Sequence, residues 1–227
     1  MREIKVTMNW RKLFSGSFLS KAVTYSKMIK LSHTVFALPF ALSGLVLAIE
    51  AKPVTAEMVM WIVIAMVGGR SAAMGFNRIA DAAIDAENPR TAMREIPAGR
   101  ISRSQAILFT VFSSVLLVFA AAMLSWLCFW LSFPLLLLLF FYSYTKHFTW
   151  FAHIYLGFAI GLAPVAVWIA IAGVPGLSVI LLSLALMTHI AGFDILYACQ
   201  DVEFDREKKL YSIPSRFGLK KAFLISA

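Results

Sequence analysis

All five aspartates of this 227-residue chain fall into two clusters, and each cluster lies where a strongly apolar segment meets a basic loop. A spacing of four residues places side chains on one face of a helix. Carboxylates there are costly, about 2.5–3.5 kcal/mol per charge at the bilayer centre and less near the interface. Two such clusters therefore indicate a ligand whose binding offsets this cost, and a hard divalent cation is the natural candidate. The residues are Asn77, Asp81 and Asp85 in the first cluster and Asp194, Asp201 and Asp205 in the second.

The two clusters form a repeated half-site. The separation of Asp81 from Asp201 equals that of Asp85 from Asp205, and a basic stretch with Ile-Pro and a later Gly follows each pair. Four apolar spans lie between the pairs, so both emerge on the same side of the membrane. Sites between repeats are typical of membrane bundles. Two opposed carboxylate pairs can hold two magnesium ions with a diphosphate between them.

Other polar residues lie at helical spacing from these clusters or from each other. Arg70 lies seven residues before Asn77, two turns deeper on the same helix face, and Asp194 precedes Asp201 by the same spacing. An arginine within a span usually points into a cavity. At the end of another span, Tyr142 and Lys146 form a further pair with a spacing of four.

Composition and charge predict a polytopic membrane protein. The chain is 60% hydrophobic and has a mean hydropathy of +0.80. Lys and Arg crowd the N-terminal thirty residues and the loops after the second, fourth and sixth spans, which places both clusters at the cytoplasm. The net charge of +9 suits anionic lipid, and no nucleic-acid motif accompanies it. We expect a basic cytoplasmic segment at 1–30 and one membrane domain at 31–227, with spans at about 31–50, 57–80, 104–124, 126–144, 151–172 and 177–199 and a seventh beginning near Gly218.

The motifs together resemble the UbiA-type intramembrane prenyltransferases. The first cluster with residues 88–99 is similar to that family's first signature, Tyr142-x3-Lys146 to its middle motif, and residues 194–218 to its second aspartate motif. The similarity runs from about Lys27 to Gly218. It is closest to the 4-hydroxybenzoate polyprenyltransferase-like bacterial enzymes of quinone biosynthesis, in the pathways to ubiquinone and menaquinone.

The resemblance implies an all-α transmembrane bundle in the bacterial inner membrane, with a cavity open to the cytoplasm and to lipid. It also implies Mg²⁺, a polyprenyl diphosphate donor and an aromatic carboxylic acid acceptor, with 4-hydroxybenzoate first and a dihydroxynaphthoate as the alternative. Metal ligands would be Asn77, Asp81 and Asp85 for one ion and Asp201 and Asp205 for the other. Lys146, Arg90 and Arg94 would contact the diphosphate, and Tyr142, Arg70 and Asp194 would lie near the reacting groups.

The sequence departs from the family pattern in two places. Arg78 follows Asn77 where the first motif often has an aspartate. Family members also continue through further helices, so we expect a chain truncated at its C-terminus, with part of the cavity wall outside it.

Several simpler interpretations stay open at this stage. The aspartates can be interfacial charges solvated by water, and Lys146, Arg90 and Arg94 can serve membrane topology alone. Arg70 can be a structural partner for Asp194. The four histidines have no metal-ligand spacing, so packing or interface roles are expected for them. A cation-coupled transporter is the alternative of another class, although transporter sites usually lie near the membrane midplane.

Overall fold

The computed structural model describes the backbone of residues 17–227 and the side chains of residues 20–30 and 39–227. This part of the chain is helical and contains no strand. Residues 1–16 of the predicted basic segment 1–30 lie outside the described residues. Most of the remainder of that segment forms the first helix. The helices are α1 (Ser17–Met28), α2 (Leu31–Ile49), α3 (Ala56–Ala80), α4 (Ala82–Glu87), α5 (Arg103–Leu124), α6 (Trp126–Thr145), α7 (Ala152–Ala172), α8 (Leu177–Ala198), α9 (Val202–Glu207), α10 (Ile213–Phe217) and α11 (Leu219–Ser226).

The predicted spans correspond to α2, α3, α5, α6, α7 and α8, with ends within about two residues. Among the described residues, five helices are long and apolar enough to cross a membrane; they are α3, α5, α6, α7 and a fifth that runs from α8 to Glu207. Of α2, the stretch Pro39–Ile49 is a shorter apolar helix. The all-α membrane bundle is therefore confirmed.

Hydroxyl side chains fix where three of the spans begin. Thr55 caps α3 by accepting a hydrogen bond from the amide of Met58, and Ser102 forms a reciprocal capping box with Gln105 before α5. Ser125 alone connects α5 to α6 and caps the second of them. The turn between these two helices is therefore a single residue, and the two helices contact each other.

Small residues allow the helices to approach closely. A Cβ on Gly68 would lie 2.8 Å from the backbone nitrogen of Leu117, so α3 and α5 meet backbone to backbone there. Gly68 therefore permits the close approach of these helices, whereas a Cβ on the neighbouring Gly69 would make only ordinary contact with the Leu117 side chain. On the other side of the bundle, a Cβ on Gly157 of α7 would collide with the carbonyl oxygen of Met187 on α8.

Both aspartate pairs lie at breaks of long helices. Asp81 ends α3 and precedes the six-residue α4, which contains Asp85. Asp201 ends the 3₁₀ turn Cys199–Asp201 after α8 and precedes the six-residue α9, which contains Asp205. The spacing of four thus spans a helix junction in each half rather than one continuous helix, and the two halves share the same design.

Candidate active site

Ten of the eleven predicted site residues line one cavity of about 200 Å³. Its walls come from the ends of α3, α6 and α8, the start of α7, and the loops that follow α4 and α9. These elements all meet at one end of the bundle, as the predicted topology requires. The ten residues are Asn77, Asp81, Asp85, Arg90, Arg94, Tyr142, Lys146, Asp194, Asp201 and Asp205.

Asp81 is the central carboxylate of the first half-site. It is 4% exposed, and its Oδ2 lies 2.8 Å from Lys146 Nζ and accepts a hydrogen bond from Asn77 Nδ2 at 3.1 Å. Its other oxygen, Oδ1, is buried and has no hydrogen-bond partner. Buried acceptors are nearly always satisfied, so this oxygen is available to a ligand.

Asp85, the second carboxylate of this half, is held at both oxygens by Arg94. Arg94 Nη1 lies 2.7 Å from one carboxylate oxygen and 2.8 Å from the other, and Asp85 is 5% exposed. Thr91 supports the same turn by donating its hydroxyl to the carbonyl oxygen of Asp85. The loop after α4 therefore returns its own arginine to the cavity.

The second half-site is tied to the first by Arg90. Its Nε donates to Asp201 Oδ1 at 2.8 Å, its Nη2 contacts Asp201 Oδ2, and its Nη1 donates to the Tyr197 hydroxyl at 3.0 Å. Asn88 donates to the same Asp201 oxygen at 3.0 Å. The hydrogen bond to the Asp201 carboxylate raises the pKa of the Arg90 guanidinium above its ordinary value.

Further contacts lock the three loops around the cavity. Glu87 at the end of α4 pairs with Lys208 at 2.5 Å, and the amide of Tyr211 donates to the carbonyl of Lys146 at 2.8 Å. Ser212 donates its hydroxyl to Asp205 Oδ2 at 2.8 Å. The loop that follows α9 thus holds both the first loop and the end of α6.

Asp194 lies deeper in the same cavity and contacts a histidine. His153 Nδ1 is 2.7 Å from Asp194 Oδ2, and the amide of Ile213 donates to His153 Nε2 at 3.2 Å. The alternative pairing of Asp194 with Arg70 does not form. Packing or interface roles were expected for the histidines. His153 has more than such a role, because it lines the cavity and hydrogen-bonds a predicted site residue.

Arg70 is the one predicted site residue outside the cavity lining. Its Nε is buried without a hydrogen-bond partner, and the ion pairs between described residues do not include it. It stands two helical turns before Asn77, within the apolar part of α3. A buried guanidinium nitrogen without a partner suits an anionic ligand group.

Arg78, which departs from the family pattern, has a structural contact. It is 4% exposed, and its Nε donates to the carbonyl oxygen of Met28, the last residue of α1. The position after Asn77 therefore faces the N-terminal helix, and Arg78 does not line the cavity.

The donor chemistry of the cavity fits magnesium. Among the residues whose side chains the structure describes, no group of three or more His, Cys, Asp or Glu is arranged to hold a metal. Magnesium, however, usually takes one or two carboxylates together with water and phosphate oxygens. A pair of carboxylates in each half, an amide at Asn77 and the unpartnered oxygen of Asp81 meet that requirement.

A comparison with known protein families identifies the family of this chain. The model of the UbiA prenyltransferase family matches residues 37–227, most of the chain. This chain is a member of the UbiA prenyltransferase family. The predicted resemblance is therefore confirmed, and the chain is an integral membrane protein.

Among curated UbiA relatives, the 4-hydroxybenzoate octaprenyltransferase of Serratia proteamaculans is 31% identical over 204 residues, which cover 88% of this chain and 69% of the relative. The protein of the same name from Psychrobacter arcticus is 31% identical over 160 residues, which cover 69% of this chain and 51% of the relative. The chain thus spans about half to about two thirds of the length of these relatives.

Solved UbiA structures share the fold. The UbiA homolog of Aeropyrum pernix K1, in its apo form, superimposes with a TM-score of 0.79 and 33% identity, covering 86% of this chain and 73% of that one. The UbiA homolog of Archaeoglobus fulgidus, bound to DMAPP and Mg²⁺, superimposes with a TM-score of 0.71 and 20% identity, covering 88% and 71%.

Several residues of the UbiA-type cavity that hydrogen-bond predicted site residues were not themselves predicted as site residues. Tyr197 precedes Asp201 by four residues and Asn88 follows Asp85 by three, so helical spacing was a usable signal for both. Ser212 was recognised only as part of a motif. No spacing to the other motifs identifies His153, because it belongs to a different helix, α7.

Proposed function

We propose that this chain transfers a polyprenyl group from a polyprenyl diphosphate to an aromatic acid, with 4-hydroxybenzoate as the leading acceptor, in the biosynthesis of ubiquinone or menaquinone. The reaction would depend on Mg²⁺ and take place at the cytoplasmic face of a bacterial inner membrane. Residues 31–227 would act as one membrane domain after a basic cytoplasmic segment at 1–30. One observation carries the proposal: both aspartate pairs and three cations line a single cavity at one end of the bundle.

The charges of the cavity suit a diphosphate held through metal ions. Asn77, Asp81 and Asp85 would hold one Mg²⁺, and Asp201 and Asp205 the other. Bound magnesium supplies charge that stabilises the leaving diphosphate. The use of Mg²⁺ with a prenyl diphosphate is supported by the Archaeoglobus fulgidus homolog, which was solved with DMAPP and Mg²⁺.

Three cations of the chain would change partners when substrate binds. Lys146, Arg94 and Arg90 each pair with a candidate metal ligand, Asp81, Asp85 and Asp201 respectively. Once metal ions neutralise these carboxylates, the three side chains are free to donate charge-assisted hydrogen bonds to the diphosphate oxygens. The carboxylates are therefore balanced in part by cations of the protein before binding and by metal ions after it.

The remaining residues would position the reacting groups. The allylic C–O bond breaks and its electron pair leaves with the diphosphate. A ring carbon ortho to the phenol then bonds to the allylic cation and loses its proton. Asp194 would stabilise the cation or accept that proton, with Tyr142 beside it, and Arg70 would hold the acceptor carboxylate in a bidentate pair. The apolar walls would take the isoprenoid tail and exclude water.

The alternative of a cation-coupled transporter is less well supported. The acidic residues lie together at one end of the bundle, whereas transporter sites usually lie near the membrane midplane. The position of the cavity and the family of the chain both favour an enzyme.

The test uses membranes that contain the full chain, a radiolabelled prenyl diphosphate, Mg²⁺ and a panel of aromatic acids. We expect labelled product with 4-hydroxybenzoate and none when EDTA replaces Mg²⁺. Product with a dihydroxynaphthoate alone would reassign the acceptor. Absence of product with every acid, from protein that melts cooperatively, would contradict the proposal.

A further inference from the structure

The cavity contains one buried histidine that the proposed chemistry does not use. His153 is 4% exposed and is the second residue of α7. Both of its ring nitrogens have partners: Nδ1 lies 2.7 Å from Asp194 Oδ2, and Nε2 lies 3.2 Å from the amide nitrogen of Ile213. A histidine held at both nitrogens has a defined orientation.

The direction of these two hydrogen bonds follows from their partners. The amide of Ile213 can only donate, so His153 Nε2 must be the acceptor and bears no proton. The proton of the neutral ring is then on Nδ1 and is donated to the Asp194 carboxylate. Asp194 therefore has one oxygen, Oδ2, fixed by an N–H donor from the neighbouring helix.

Backbone packing keeps His153 within reach of Asp194. Gly157, one turn after His153, lies against α8, where any Cβ would collide with the carbonyl of Met187 and lie 3.0 Å from the Cβ of Ala191. Ala191 precedes Asp194 by three residues, on the same face of α8. The glycine thus sets the close approach of the two helices that the hydrogen bond needs.

The same histidine connects Asp194 to the second half-site. Ile213 is the first residue of α10, and the preceding Ser212 caps that helix while donating its hydroxyl to Asp205 Oδ2 at 2.8 Å. Ser212 therefore holds Asp205 directly, and the neighbouring Ile213 holds Asp194 through the imidazole of His153.

We propose that His153 is a positioning residue for Asp194, which it orients toward the cavity and couples to the turn at Ser212 and Ile213. This inference rests on the proposed function, in which Asp194 acts beside the reacting carbon. The metal and diphosphate contacts do not involve His153. Its loss therefore lowers kcat and leaves KM for the prenyl diphosphate unchanged.

Two near-isosteric variants separate the two hydrogen bonds. In His153→Asn the amide nitrogen lies near the position of Nδ1 and can donate to Asp194, whereas in His153→Gln the amide lies one carbon further out, near the position of Nε2, where its oxygen can accept from Ile213. We expect kcat to fall about 10- to 100-fold in the Gln and Ala variants, the usual effect of losing an outer partner of a site residue, and to recover mostly in the Asn variant. His147→Asn, at an exposed turn residue, is the matched control. Equal kcat in the Asn and Gln variants, or wild-type kcat in the Ala variant, would overturn the inference.

A spectroscopic readout tests the contact without turnover. With ¹⁵N-histidine label, the chain gives signals from four histidines, and His153→Asn assigns the one in question. We expect a neutral ring protonated at Nδ1, whose signal shifts in Asp194→Asn and not in His147→Asn. A neutral ring whose only proton is on Nε2 would refute the contact. If no acid is prenylated but this signature is present, the proposed function fails and the hydrogen bond between His153 and Asp194 stands.

Discussion

Arg90 and Asp201 form a fork-shaped ion pair that joins the two halves of the site. Arg90 follows the first aspartate pair in the chain, and Asp201 begins the second, yet Nε and Nη2 of the guanidinium contact both oxygens of that carboxylate. Planar, two-point recognition of this kind also suits phosphate. Arg90 therefore has two anionic partners available, the carboxylate and the diphosphate.

Replacing Arg90 with Ala should affect the two ligands in opposite directions. KM for the prenyl diphosphate should rise about tenfold, which corresponds to about 1.4 kcal/mol. Without diphosphate, Mn²⁺ affinity should rise by up to about fivefold, since a partly exposed ion pair contributes about 1 kcal/mol at most. Steady-state kinetics and Mn²⁺ titration followed by electron paramagnetic resonance measure the two effects. Arg100→Ala, an exposed residue of the same loop, is the control; a fall in Mn²⁺ affinity on loss of Arg90 would be inconsistent with the exchange of partners.

Asp81 should be needed for turnover more than for folding. Asp81→Asn removes the charge at constant size and leaves Lys146 without its partner, so the free energy of unfolding should drop by about 1–3 kcal/mol. Adding Lys146→Met should restore most of that loss, because no unpaired charge remains. Turnover should stay below about 1% of wild type in both proteins, a loss of about 2.7 kcal/mol or more in transition-state stabilisation. Thermal unfolding and the transferase assay check the two parts; a double variant that regains turnover would exclude a metal role for Asp81.

Adjacent glycines on α3 should respond differently to the same substitution. Gly68→Ala places a Cβ 2.8 Å from the backbone nitrogen of Leu117, and this overpacking should cost about 1–3 kcal/mol. Gly69→Ala places its Cβ 3.6 Å from the Leu117 side chain, an ordinary contact, and should be neutral or stabilise by about 0.5–1 kcal/mol. Thermal unfolding in one detergent measures both. Similar stabilities for the two variants would mean that α3 and α5 do not meet backbone to backbone at Gly68.

Replacing Arg78 should weaken the attachment of α1 and leave the Mg²⁺ dependence of turnover unchanged. In Arg78→Met the carbonyl of Met28 loses its buried donor, so we expect about 1–3 kcal/mol of destabilisation. Trypsin should then cut faster near Lys27, in the last turn of α1. The concentration of Mg²⁺ that gives half-maximal turnover should not change. A shift of tenfold or more in that concentration would instead place Arg78 among the residues that act on the metal.

The sequence predicted the helices well because the signals are local. Apolar length set the spans, and Thr55, Ser102 and Ser125 begin three of the helices by side-chain capping. The aspartate spacing and the charge of the loops also placed both pairs at the same end of the bundle. These features depend on neighbours within a few residues, so they can be read from the chain itself.

The pairing of charges could not be predicted in the same way. Arg90 contacts Asp201 across more than a hundred residues, and His153 contacts Asp194 from another helix. Which cation meets which carboxylate depends on how two irregular loops fold over the cavity, and no periodicity encodes that. The ends of the two spans near Asp81 and Asp201 were predicted from apolar length, but the short helices α4 and α9 that follow them were not.

The central claim is that two acidic half-sites hold one diphosphate through two divalent ions. Electron paramagnetic resonance with Mn²⁺ and a non-reactive prenyl thiolodiphosphate tests it on the full chain. We predict two bound Mn²⁺ ions with a dipolar coupling that is present only with the diphosphate analogue and is lost in both Asp81→Ala and Asp201→Ala. A single uncoupled Mn²⁺, or a coupling that persists in either variant, would contradict the account.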